Sequence, residues 1–100
     1  MTAAALTPTS VQRIDMPSHK YSGTAMRIEK YLIKVTKATQ NDWIVTDTYV
    51  PGTVLWCKGY TIDSSGDGVE ETNTYTASGT KLTLTSATVG TSYMEVLVSR

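Results

Sequence analysis

The chain is poor in the residues that usually carry chemistry: 100 residues hold one cysteine, one histidine, three prolines and no phenylalanine. A lone Cys57 excludes an intrachain disulfide and leaves a zinc or iron–sulfur cage short of ligands. The only histidine, His19, sits beside Lys20 near Pro17, and nothing else in the sequence supports pairing it with Cys57 as a nucleophile and base. Without phenylalanine, aromatic core material has to come from Tyr and Trp, whose polar tips favour sheet margins and interfaces. Net charge is missing too, because nine basic and nine acidic side chains cancel. No global field therefore draws the chain to nucleic acid or to an anionic membrane. No apolar run approaches the roughly 20 residues needed to span a bilayer. The start, MTAAALTPTS, lacks the basic and apolar regions of a secretory signal. The expectation is a soluble protein, folded in a cytoplasm, with no cofactor and no metal.

What is abundant is threonine, with 18 residues, and serine, with nine, against only 20 for Leu, Ile and Val together. Val, Ile, Thr, Tyr and Trp sum to 40, and β-branched and aromatic side chains suit a pleated, half-buried surface. A domain of this size buries roughly two thirds of its unfolded surface, so one thin core forms and no second domain fits. Residues 1–24 combine Pro8, Pro17, Gly23, many Ser and Thr and a run of alanines without a sustained period. They read as an extended N-terminal arm in which Val11 to Met16 could add one strand.

From residue 25 onward, extended runs alternate with turn chemistry. Strands are expected over Met26–Ala38, Trp43–Val50, Val54–Asp63, Val69–Thr76, Lys81–Thr85 and Ser92–Ser99, with no amphipathic helix between them. The expected fold is all-β: a small antiparallel β-sandwich or barrel of six to seven strands over residues 25–100. Alternation puts Met94, Val96 and Val98 inside and Tyr93, Glu95 and Leu97 opposite; it aligns Trp43, Val45 and Tyr49, with Asp47 in conflict. In the first strand Met26 and Ile28 are out of phase with Tyr31, Ile33 and Val35, which calls for a bulge near Glu29 or Lys30. In the third, Val54, Trp56, Tyr60 and Ile62 align as core, so that Lys58 must snorkel at a margin or Gly59 mark an irregularity. Glu70 and Glu71 suit a charged edge strand. Trp43, Trp56, Tyr31, Tyr49, Tyr60, Tyr75 and Tyr93 mostly share faces with aliphatic residues and are read as core; placed outside, several of them would form a sugar-binding platform.

Catalytic constellations do not emerge. Glu70 and Glu71 are adjacent on a strand and point to opposite faces, so they cannot form the converging carboxylate pair of a glycosidase. No phosphate-binding glycine loop or dinucleotide fingerprint occurs. Asp63, Ser65, Asp67 and Gly68 imitate the first half of an EF-hand loop, but the closing Glu position is Thr74 and no helices flank it. A hairpin turn in which Asp caps backbone amides explains the same residues better.

Charge is balanced only in total: residues 1–40 carry six basic and two acidic groups, and residues 41–100 carry three and seven. In an assembly this asymmetry favours a basic arm of one copy meeting an acidic surface. Two segments, YSGTAMRIEKYLIKVTKATQNDWIVTDTYVPGTVLWCKGY and TYTASGTKLTLTSATVGTSYMEVLVSR, together with the arm, give the chain a family likeness. It resembles the small all-β accessory virion proteins of tailed bacteriophages, of the head decoration or cement type. The resemblance implies a non-enzymatic protein on the capsid surface of the virion, made in the host cytoplasm. It would bind and stabilise the shell through the major capsid protein and form a homo-oligomer, with a trimer favoured. It further implies Val11, Arg13, Ile14 and Met16 as strand donor and Arg13, Lys20 and Arg27 as anchors to acidic capsid surface; Tyr93 and Leu97, on the outward side of the last strand, are expected as further partner-binding residues. On that reading, removal of residues 1–20 leaves the β-domain folded and weakens attachment. The alternative from the residues is a carbohydrate- or receptor-binding β-module, such as a head-fibre or tail adhesin domain.

Overall fold

A computed structural model describes residues 2–14, 20–21, 24–25, 28–71 and 73–99. The strands are β1 (Ser10–Ile14), β2 (Lys20–Tyr21), β3 (Thr24–Ala25), β4 (Ile28–Lys37), β5 (Trp43–Val45), β6 (Thr53–Ile62), β7 (Gly68–Glu71), β8 (Asn73–Thr76), β9 (Lys81–Leu84) and β10 (Gly90–Ser99). One helical turn, α1 (Thr46–Tyr49), follows β5. A five-stranded antiparallel sheet has the order β1-β4-β10-β6-β7, a three-stranded one β5-β9-β8, and β2 with β3 forms a separate pair. The all-β, sandwich-like expectation holds, and the sheets do not close into a barrel.

Inner faces of the two larger sheets share one core. The first contributes Tyr31, Ile33, Val35, Met94, Val96 and Val98; the second contributes Ile44, Leu82 and Leu84, with Val50 beside them. β10 therefore obeys its alternation, and it lies at the centre of its sheet, paired with β4 and β6 along its length. Expected strands depart from observed ones where a polar residue would have faced this core. Asp47 is the clearest case. The strand stops at Val45, a helical turn closed by the Val50 N–H on the Thr46 carbonyl at 2.8 Å exposes Asp47, and Val50 is buried beyond it. Within β5 the buried residue is Ile44, while Trp43 and Val45 are half-buried. The expected strand over Val69–Thr76 is divided between the sheets, as β7 in one and β8 in the other.

The N-terminal segment is integrated into this body. β1 pairs antiparallel with β4 over Ser10–Ile14, and Ala5 bridges to Trp43. Leu6 N–H donates to the Trp43 carbonyl at 2.8 Å and its side chain packs on the core. The buried Asp42 carboxylate fixes the junction: Oδ1 accepts from Ala4 N–H at 2.9 Å, and Oδ2 from the N–H groups of Ala38 and Thr39 at 3.0 and 2.8 Å. One carboxylate thus ties the chain start to the turn after β4.

Candidate binding surface

The site begins with a displaced register in β6. Leu97 of β10 opposes Trp56, but Val98 opposes Val54, so Leu55 is left over as a bulge. From Trp56 onward the alternation is reset: Gly59 and Thr61 point to the core, and Trp56, Lys58 and Tyr60 point away. The expected core set of Val54, Trp56, Tyr60 and Ile62 is therefore corrected; Val54 packs on the core, whereas Trp56 and Tyr60 are 43% and 42% exposed. Gly59 explains the reversal physically. A Cβ there would lie 2.3 Å from the Tyr93 carbonyl oxygen and 2.4 Å from Met94 Sδ, so the position accepts only hydrogen. With Gly59 inward, Lys58 has no conflict to resolve, because its whole alternating set faces solvent.

In β4 the expected bulge near Glu29 is likewise absent. Pairing with both β1 and β10 is continuous, Glu29, Tyr31, Ile33, Val35 and Lys37 face inward, and Ile28 is on the other face. The inward Glu29 carboxylate is partnered by Tyr31 Oη at 3.1 Å and by Arg13 at 3.1 Å. Cross-strand pairing then arranges the outer face in rows: Lys34, Tyr93, Tyr60 and Glu70; Leu32, Glu95 and Lys58; Lys30, Leu97 and Trp56. Leu32, Trp56, Lys58, Gly59, Tyr60, Tyr93 and Glu95 line a trough of about 340 Å³. Lys30 Nζ pairs with Glu95 Oε1 at 3.2 Å, while the ammonium groups of Lys34 and Lys58 lie 5.8 and 6.0 Å from the ring centres of Tyr93 and Tyr60. A second hollow, of about 430 Å³, lies beside the Asp63 turn.

The opposite face of the same sheet carries the strongest electrostatics. Lys37 and Glu71 are fully buried and meet at 2.8 Å. Lys37 Nζ also donates to the Ser86 carbonyl and hydroxyl oxygens. Glu71 accepts from Lys37, from the hydroxyl groups of Thr61 and Ser86, and from the Ser86 N–H at 2.9 Å. Ser92 completes the chain through the Thr61 hydroxyl at 2.6 Å. Burial works against the ionised form of Glu71, but the hydrogen bonds from Lys37, Thr61 and Ser86 overcome it and hold the carboxyl below its usual range. The edge-protection role expected for the Glu pair is thus divided: Glu70 is exposed on edge strand β7, and Glu71 is an internal anchor. Closed off from solvent, the pair joins β4, β7 and the Ser86 loop.

Other sequence-derived sites take definite positions. Asp63 Oδ1 accepts from the N–H groups of Ser65 and Asp67, both at 2.9 Å, and Gly66 has φ +87°, the geometry of a capped hairpin turn. Among the described residues no three His, Cys, Asp or Glu side chains group as a metal site. Cys57 packs against the core, and burial pushes its thiol pKa up. Tyr93 and Leu97 lie on the outer face together, and Ile14 joins them through its pairing with Lys30. Val11 and Arg13 pair with the inward residues Ile33 and Tyr31, at the sheet rim. Met16 and Arg27 lie outside the described residues, and Lys20 is placed only by its pairing in β2.

The fold and its surfaces define a small two-sheet β-domain with one aromatic outer face. Compared with family models, with curated proteins and with solved structures, the chain gives no match.

Proposed function

We propose that the chain is a non-enzymatic virion structural protein, a decoration- or cement-type accessory that binds and stabilises a capsid shell. Its partner on this reading is the major capsid protein, its working state a homo-oligomer such as a trimer, and its location the capsid surface. The observation that carries the reading is the N-terminal rim. β1 is the terminal strand of the five-stranded sheet and Ser10–Arg13 are all exposed, while residues 4–6 are fastened to the second sheet. An edge strand held firmly from behind offers main-chain donors and acceptors to a partner strand without demanding a particular sequence. A partner that binds only the folded form adds to the stability of a thin core by mass action. Arg13 serves the rim itself, through Glu29, as well as any acidic partner surface.

The deciding experiment counts copies of the chain in purified particles against copies of the major capsid protein. Copy numbers that scale with the number of capsid subunits support decoration. A few copies per particle point to a fibre or tail position, and absence from particles overturns the virion reading. The outer-face trough favours the second reading, a carbohydrate- or receptor-binding module, because its aromatic side chains are exposed around a concave surface.

A further inference from the structure

We infer that the trough on the outer face of the five-stranded sheet is a binding site for a neutral pyranose saccharide. The inference goes beyond capsid attachment and uses a different surface from the N-terminal rim.

Trp56 and Tyr60 are four residues apart on the regular part of β6, so their rows are separated by about 13 Å at the usual strand rise. Between those rows lie Lys58 and, across the pairing, Glu95 and Leu32. The trough thus has aromatic walls, with Tyr93 and Tyr60 on one side and Trp56 on the other, over a floor of one ammonium, one carboxylate and one aliphatic side chain. Its volume of about 340 Å³ falls at the lower end of small-molecule sites, which run from about 300 to 1,000 Å³. That suits a single ring with its substituents.

A pyranose is apolar on the faces of its ring, where C–H groups project, and polar around its rim of hydroxyl groups. Trp and Tyr faces complement the former. The hydroxyl rim needs both donors and acceptors: a lysine ammonium supplies only donors and a glutamate carboxylate only acceptors. Lys58 and Glu95 stand opposite each other in the pairing and supply one of each. The competing ligand classes fit less well. An acyl chain would strip water from Lys58 and Glu95 and return no hydrogen bond. A phosphate or nucleic acid would meet the Glu95 and Glu70 carboxylates, and Lys30 is already paired with Glu95.

The exposure is built into the fold. Gly59 excludes any side chain on the inner face, and the Leu55 bulge sets the phase that sends Trp56, Lys58 and Tyr60 outward. Among the described residues, Trp56, Tyr60 and Tyr93 belong neither to the core cluster nor to the side chains packed against it.

The test uses the full-length chain, isotope-labelled, titrated with neutral tetrasaccharides of glucose, galactose, mannose and N-acetylglucosamine. Binding of at least one, in about the millimolar range or tighter, is expected, with chemical-shift changes centred on Trp56, Lys58, Tyr60, Tyr93 and Glu95. Trp56→Ala should weaken it about tenfold or more, equivalent to about 1.4 kcal/mol, with a melting temperature changed by no more than about 2–4 °C. Glu95→Gln, which keeps an acceptor, should weaken it less than Glu95→Ala. Low and high salt should give the same affinity, because no net charge is neutralised. Absence of shift changes with all four sugars overturns the inference. So does binding confined to anionic saccharides, or a protein partner that occupies the same residues while the sugars leave them unmoved. Loss of the chain from purified particles would overturn the virion reading and leave this one standing.

Discussion

The two faces of the five-stranded sheet invert the usual sorting of residues. The inner face holds an aliphatic core together with Lys37, Glu71, Thr61 and Ser92, all essentially without exposure; the outer face holds Trp56, Tyr60 and Tyr93, each about two-fifths exposed. Hydrophobicity alone would exchange them. What decides is hydrogen-bond satisfaction on one side and register on the other. Lys37 and Glu71 have a partner for nearly every polar site, which offsets the large cost of taking charge out of water. Trp56 and Tyr60 are outward because Gly59 has to be inward. The inner face reads as the determinant of the fold, and the outer face as surface left available for a ligand.

Predictions that break or sharpen this contrast begin with the buried pair. Lys37→Met leaves the Glu71 carboxylate buried beside Ser86 and Thr61 without its cation, and should cost about 3–5 kcal/mol in urea unfolding. Against a total stability of roughly 5–15 kcal/mol for a small domain, that removes a large share of the folded state. Adding Glu71→Leu should restore part of the loss, since the uncompensated charge is gone while the Thr61 hydroxyl and the Ser86 N–H lose their acceptor. If the double variant is as unstable as the single one, the hydrogen-bond account of the inner face is wrong.

Removing residues 2–14 strips Leu6 from the core, one of three hydrogen bonds from Asp42, the β1 ladder from β4 and Arg13 from the inward Glu29 carboxylate, at about 3 kcal/mol or more. The core should still fold, with a lower urea midpoint. Gly59→Ala forces a methyl group against the Tyr93 carbonyl and Met94, and should cost about 2–3 kcal/mol by the same assay.

Acid provides a further separation of the faces. The folded pKa of Glu71 is depressed, so its contribution is present above the unfolded value, about 4.3, and is lost as pH falls through the lower folded value. Urea midpoints measured from neutral pH downward should fall below about pH 4 in the parent, and less steeply in the Lys37→Met/Glu71→Leu variant. The smallest effects belong to the outer face. Trp56→Ala and Tyr60→Ala should each change stability by only about 0.5 kcal/mol. The raised thiol pKa of half-buried Cys57 should make it slow to react with a disulfide reagent at neutral pH, becoming fast on unfolding.

Much of the fold is legible in the sequence, and the exceptions have physical causes. Period-two alternation is strong in Ser92–Ser99, where inner and outer sets differ clearly in polarity, and the structure keeps it. It misleads over residues 54–62, where the outward set holds the large Trp56 and Tyr60 and the inward set only the small Cys57, Gly59 and Thr61. Lys58 shares its phase with Trp56 and Tyr60, and a charge in the middle of an aromatic set is the signal that the set faces water. The Lys37–Glu71 pair leaves no comparable trace, since its members are 34 residues apart and only tertiary structure joins them. For the same reason the sequence suggests a charged edge at Glu70–Glu71, and only half of it is one. In the N-terminal segment the strand expected from Val11 is found over Ser10–Ile14, with Met16 outside the described residues, but the bond between Ala4 and Asp42 that anchors the chain start is not readable.

The central claim, that the inner face builds the domain while the outer aromatic face is spare surface, is tested most directly by urea unfolding of two variants side by side. One is Lys37→Met; the other is the triple variant Trp56→Ala/Tyr60→Ala/Tyr93→Ala. The account predicts that three outer truncations together lose no more than about 1.5 kcal/mol, while the single inner change loses at least twice as much. A triple variant as destabilised as Lys37→Met would contradict it and return those aromatic side chains to the core.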